Sequence, residues 1–175
     1  MRSKSLYFKR FVLVIWLCLL PQLAWSKVDE DLKAVYLFRF ALLADWSDTG
    51  INSEYIEYCV TSNSEVAKRL QSIVESKPDL ARFHLLLSGH SANTCHILFV
   101  EQANVSQLAQ LKLQYPHALL VGDGVDFIAS GGMIAFIKVR NRIRPLIARN
   151  NVHQTGVRLR SQLLEVSELY SGGEV

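Results

Sequence analysis

No stretch of this chain is apolar for long enough to cross a membrane as a helix. The longest apolar run, Phe11–Leu20, has ten residues, against about 20 for a spanning helix. Its flanks are those of a cleavable export signal. Arg2, Lys4, Lys9 and Arg10 precede the run, Pro21 ends it, and Ala24-Trp25-Ser26 sets small residues three and one before a cut ahead of Lys27. An uncleaved anchor is the alternative. The residues before Cys18, Ile15-Trp16-Leu17, lack the small side chain that a lipoprotein cut requires. The expected organisation is a signal peptide over residues 1–26 and one domain over residues 27–175, exported to the periplasm. A domain of 149 residues can bury one real core and is too short for two.

The signatures of catalysis are missing as well. Gly122-Asp123-Gly124 follows a predicted strand, but the third glycine of a dinucleotide loop would stand at Phe127. No Gly-Lys-Ser/Thr phosphate loop occurs. The glycines read as a turn needing backbone freedom, with a small anion site as the alternative. His84, His90, His117 and His153 show no paired metal-ligand spacing. Cys95 and His96 are neighbours on one strand, so they point to opposite faces and make poor joint ligands. Ser88-Gly89-His90 sets a hydroxyl near a base without the Gly-x-Ser-x-Gly elbow. No enzyme activity, metal or cofactor is expected. Repeats, low-complexity tracts and linkers are also absent.

Cysteine is scarce. Past residue 26 only Cys59 and Cys95 remain. In an oxidising compartment the simplest reading is a disulfide, with two unpaired buried thiols as the alternative. The bond would join positions 36 apart and contribute roughly 4 kcal/mol by loop entropy.

What is present is a regular alternation. Asp29–Ala44 is predicted helical, with Leu32, Val35, Tyr36, Phe38, Arg39, Leu42 and Leu43 on its packed face and Asp29, Glu30 and Asp31 at the positive end of its dipole. Strands are expected over 55–61, 83–87, 96–100 and 118–121, with helices over about 65–76 and 104–114 and a helical stub through Ala129. Met133–Val139 and Arg142–Ala148 read as an antiparallel hairpin, whose second arm carries Pro145 and is expected at the sheet edge. A last helix is expected over Val157–Leu169. The fold class is therefore α/β: a three-layer single domain with a mostly parallel mixed sheet flanked by helices and a C-terminal antiparallel hairpin. A strand order starting 2-1-3 would make the first and third strands neighbours and bring the two cysteines close.

Charge is unevenly distributed. The signal holds four of the 19 basic residues and none of the 16 acidic ones, so the sequence pI of 8.8 does not argue for nucleic acid. Residues 27–135 carry a net charge of −5 and residues 136–175 a net charge of +4. Lys138, Arg140, Arg142 and Arg144 cluster on the hairpin. They are either a solvated edge that deters strand pairing or a surface for an acidic partner.

The ordered blocks resemble the YfiR family of periplasmic proteins. The blocks are Lys33-Ala34-Val35-Tyr36-Leu37-Phe38-Arg39-Phe40 running to Trp46, then Tyr58-Cys59-Val60, then Cys95-His96-Ile97-Leu98-Phe99-Val100. Leu119-Leu120-Val121-Gly122-Asp123, Gly131-Gly132-Met133-Ile134-Ala135-Phe136 and Gly156-Val157-Arg158-Leu159-Arg160-Ser161-Gln162-Leu163-Leu164 complete the set. Pro145 and Ala148 depart from the Phe and Asn that the family often has there. The resemblance implies a non-catalytic regulator that binds the periplasmic sensor domain of a membrane-bound diguanylate cyclase and represses it, lowering cyclic di-GMP and biofilm formation. A homodimer is a further candidate assembly. The alternative function is a periplasmic small-ligand sensor with its pocket beside Gly122–Gly124.

Overall fold

The computed structural model of the protein describes residues 22–87, 90–102 and 104–172. The chain opens with helix α1 (Gln22–Leu42) and a short strand, β1 (Ala44–Asp45). It then alternates through β2 (Ile56–Val60), α2 (Glu65–Glu75), β3 (Ala81–Leu85), β4 (Ile97–Phe99), α3 (Val105–Gln114), β5 (Leu119–Asp123), α4 (Gly124–Ala129) and β6 (Ile134–Val139). The strand β7 (Arg142–Ile147) completes a hairpin, and α5 (Arg149–His153), β8 (Arg158–Leu159), α6 (Ser161–Glu165) and β9 (Glu168–Leu169) close the chain.

Local chemistry sets the helix starts. Ser64 accepts the Ala67 N–H at 3.3 Å ahead of α2. Asn104 and Gln107 form a reciprocal capping box ahead of α3, at 2.9 and 3.1 Å, which satisfies donors that the first turn leaves free. Pro78 and Pro116 lie just past the ends of these two helices, where a proline cannot continue the ladder.

Seven strands form one sheet in the order β3-β2-β4-β5-β6-β7-β9. Pairing is parallel from β3 through β6, antiparallel between β6 and β7, and parallel between β7 and β9. β2 thus lies between β3 and β4, as the 2-1-3 start requires. The β2-α2-β3 and β4-α3-β5 units step in opposite directions along the sheet, so right-handed crossovers set α2 and α3 on opposite faces. α1 packs beside α2, and α4 lies beside α3, where the Lys112 side chain approaches Gly131. The three expected layers follow.

α1 is held to the sheet by stacked rings. Phe40 and Phe136 lie 5.9 Å apart, and Phe38 stacks on Tyr58 at 5.6 Å. The Tyr58 hydroxyl donates to the Phe38 carbonyl at 2.7 Å, which satisfies a polar group that burial would otherwise penalise. On the other face, the Phe127 ring sits between Gly122 and Gly132. A Cβ at either glycine would come within 2.5 Å or less of that ring. Close packing against a ring therefore fixes Gly122 and Gly132, whereas Gly124, at φ 79°, supplies the backbone freedom that the turn was expected to need.

Four expectations need correction. The buried face of α1 is Ala34, Leu37, Phe40 and Ala41; of the expected stripe Tyr36, Phe38 and Leu43 pack against this core, while Leu32, Val35, Arg39 and Leu42 are exposed. In the full chain Asp29, Glu30 and Asp31 lie inside α1, because the helix begins at Gln22; a cut ahead of Lys27 would return them to its first turn. β7 is flanked by β9, so it is not the outermost strand. Tyr170 N–H donates to Ile147 O, which sets the outward side of β7, and Pro145, two residues earlier, turns its missing donor to the same side before β9 begins. Finally, Val157–Leu169 is no continuous helix. Arg160 N–H is drawn to Leu43 O and Leu159 pairs with Ala44, while Glu168–Leu169 pairs with β7. Strand partners on both sides compete successfully for the backbone of this segment.

The return from β3 to β4 has to pass β2, a step that usually needs a helix. Among its described residues there is none. Cys59 on β2 and Cys95, just ahead of β4, are instead joined by a disulfide with Cα atoms 5.8 Å apart. Both side chains are buried. Reduction, or Cys59→Ser, should lower the unfolding free energy by about 4 kcal/mol in urea titrations. Mass spectrometry of unreduced peptides should find the two segments linked; free thiols at both positions would refute the bond.

Candidate interaction surface

The four basic residues of the hairpin do not act as one patch. Val139 pairs with Arg142 at the end of the ladder, leaving Arg140-Asn141 as a two-residue turn. Both have positive φ, 48° and 62°, which is the type I′ geometry that matches the twist of a hairpin. Asn tolerates that region; Arg does so at a cost of about 1–2 kcal/mol. Lys138 is tied to Asp29 of α1 at 2.9 Å and Arg144 to Glu168 of β9 at 3.0 Å. Arg140 and Arg142 stand exposed at the tip, without an ion-pair partner among the described residues. The sequence cluster thus separates into two cations that brace the edge and two that are free.

Between this hairpin and α1 runs a groove of about 520 Å³. Val28, Leu32, Tyr36, Ile143 and Val166 give it an apolar lining, and Arg142 and Arg144 border it together with Asp29 and Glu165. Around the tip, Arg140, Arg142 and Arg144 with Val139 and Glu168 border a second cleft of about 520 Å³. An apolar groove beside the free guanidinium of Arg142, with that of Arg140 at the tip, suits a partner segment that is amphipathic and carries acidic groups at the hairpin end.

The other sequence candidates have structural roles. Asp123 is the last residue of β5 and is paired with Lys33 at 2.5 Å, with that ammonium 5.8 Å from the centre of the Phe136 ring. Gly122 is packed by Phe127 as described. Ser88 and Gly89 lie outside the described residues. His84 meets Glu57 at 2.7 Å, and the His117 Nδ1 lies 2.8 Å from the Thr155 carbonyl. No cluster of three or more metal-ligating side chains occurs among the described residues.

His96 is the informative histidine. It is buried, its Nδ1 accepts the Glu57 backbone N–H at 3.0 Å, and Trp46 meets it edge-on at 5.1 Å. Accepting that bond requires the neutral ring. Burial pushes its pKa below the usual 6.5, against the opposing pull of the Glu57 carboxylate. Sequence reasoning missed this contact, because it considered His96 only as a ligand. It also missed that Asp29 and Lys33, on α1, anchor the hairpin and the end of β5.

Two expectations follow. Arg140→Asn should raise stability by about 0.5–1 kcal/mol by relieving the left-handed arginine, as read from urea denaturation; no gain would show that residue 140 is unstrained. For His96 the unfolded chain binds the proton more readily than the folded one. Stability is therefore fully present above about pH 6.5 and is lost as pH falls below it. Urea titrations at pH 7.5 and 5.5 should show that loss, and His96→Gln should shrink it. The exposed Asp45, held down to about 2 by hydrogen bonds from Ser47 and Arg158, titrates below this window.

In comparisons with known proteins, a family model described as YfiR/HmsC-like matches residues 30–168. No curated protein matches the chain.

Proposed function

The chain belongs to the YfiR/HmsC-like family, and on that premise we propose that it is an exported, non-catalytic regulator of diguanylate cyclase signalling. It is made with a signal over residues 1–26 and works in the periplasm as the domain 27–175. There it binds the periplasmic sensor domain of an inner-membrane diguanylate cyclase and holds the enzyme inactive. Cyclic di-GMP falls, and biofilm formation with it. The observation that carries this reading is the family match, which extends over nearly the whole folded domain.

Further observations support it. The Cys59–Cys95 disulfide suits an oxidising compartment. No helix among the described residues is long and apolar enough to cross a membrane. The functional resource of the surface is a set of free cations beside an apolar groove, which serves recognition. Repression of this kind is a population shift. The regulator must bind the inactive sensor conformation more tightly than the active one, and a near-complete switch needs a difference of about 10⁴-fold. Arg140 and Arg142 are the hairpin residues assigned to the partner; Lys138 and Arg144 contribute by bracing the hairpin. The small-ligand sensor has less support, because Phe127 fills the space over Gly122 and Lys33 occupies Asp123.

The test is recovery of a partner from membranes. The chain, exported with a C-terminal tag, should begin at Lys27 by mass spectrometry. After mild detergent extraction it should co-purify with a membrane protein bearing a cyclase domain, and Arg140→Glu with Arg142→Glu should lower that recovery at least tenfold. Absence of any cyclase-bearing protein from the captured material would overturn the proposal.

A further inference from the structure

The sheet changes direction between β2 and β4. From β2 the chain crosses to β3 on one side, and from β4 it crosses to β5 on the other, with α2 and α3 on opposite faces. Neither helix therefore closes over the carboxyl ends of this central pair. In open α/β sheets that is the place where ligands bind. The rule fixes only a location; what could bind there depends on the residues at the two strand ends.

A cleft of about 280 Å³ opens at this point. Thr61, one residue past β2, and Val100, one residue past β4, line it together with Gln102 and the side of α3. The two strand ends are tied to each other. Thr61 N–H donates to Phe99 O at 3.1 Å, and the Ser62 hydroxyl donates to the Glu101 carboxylate at 2.8 Å. Among the described residues none that lines the cleft is ionisable, and four are glutamines. Gln107 accepts the Asn104 N–H at 3.1 Å, and the Gln114 amide donates to the Tyr115 hydroxyl at 3.2 Å. Each is thereby held at one end, which leaves a donor on Gln107 and an acceptor on Gln114. The side chains of Thr61, Gln102 and Gln110 make no hydrogen bond to other described residues. Scattered glutamines are ordinary on a helix surface; these converge with two strand ends on one cleft.

We propose that this cleft binds a neutral polyhydroxylated ligand, a mono- or disaccharide. An amide sets a donor and an acceptor side by side, which matches a pair of adjacent hydroxyls. Val100 and Leu111 give the C–H face of a sugar ring an apolar surface. A phosphate, carboxylate or ammonium group would find no counter-charge in the lining, so its lost hydration would go unrepaid. The volume lies near the lower end of small-ligand clefts, which run from about 300 Å³ upward. The cleft shares no residue with the groove beside the hairpin, and the assignment stands apart from the regulator reading above.

Amide NMR spectra of the exported chain, titrated with glucose, maltose and N-acetylglucosamine, test this. At least one of these sugars should give saturable shifts at Thr61, Gln102 and Gln110, with a Kd of about 1 mM or tighter. Glucuronate, an anionic analogue of one ring, should bind there at least tenfold more weakly. Gln102→Ala with Gln110→Ala removes two exposed side chains that hold nothing else in place. The pair should weaken sugar binding at least tenfold without a change in Tm. No saturable shift at these positions with any of the three sugars, or shifts confined to another surface, would overturn the site. Glucuronate binding as well as the neutral sugars would overturn the ligand class. Binding indifferent to the paired substitution would overturn the role given to the amides.

Discussion

The chain's return from β3 to β4 is the step on which the rest of the sheet depends. β3 is an edge, β4 is central, and β2 lies between them. Until that return is made, nothing to the right of β2 has a template, because β4 aligns on β2 and β5 aligns on β4. A crossover helix would normally bury an apolar face on the sheet and hold its own backbone bonds. This connection relies on a covalent bond and a few polar contacts instead. His96 N–H reaches Glu57 O at 2.8 Å, the Ala92 N–H donates to the Tyr115 hydroxyl at 3.3 Å, and the disulfide fixes Cys95 over Cys59. The same few residues hold the buried His96, so redox state and acidity act on one junction.

Much of the central alternation was legible in the sequence, for local reasons. Ser64 and Asn104 announce helix starts by their own hydrogen bonding, prolines announce the ends, and short apolar runs such as Ile97–Phe99 between polar loops read as buried strands. Each of these signals is decided within a few residues. The C-terminal segment was not legible, because Leu159, Leu163 and Leu164 fit a helical period while the backbone on either side of them, at Arg160 and Tyr170, is bonded to Leu43 and Ile147. Those partners lie far off in sequence, and no local pattern encodes them.

The candidate surface was legible in composition and opaque in arrangement. Four cations within seven positions are plain to see, but only the fold shows which are free. Lys138 finds Asp29 across 109 positions, whereas Arg144 meets Glu168 across 24. Helix α1 misled for a related reason. It has more apolar positions than one face can hold, and periodicity alone cannot say which stripe meets the sheet. Phe40 stacking on Phe136 decides it. The side chains left over, Val28, Leu32, Val35 and Leu42, then become surface.

Phe127 and its two glycines have a historical consequence. Gly122 and Gly132 come from different strands, or the turn leading into one, yet each is fitted to the same ring. Enlarging either glycine without shrinking the ring creates a collision, and shrinking the ring first opens a void under both strands. Single substitutions along either route pass through a poorly packed intermediate. The three positions should therefore drift slowly and change as a set, while the exposed tip of the hairpin, where Arg140 already tolerates an unfavourable backbone, is free to vary as partners diverge.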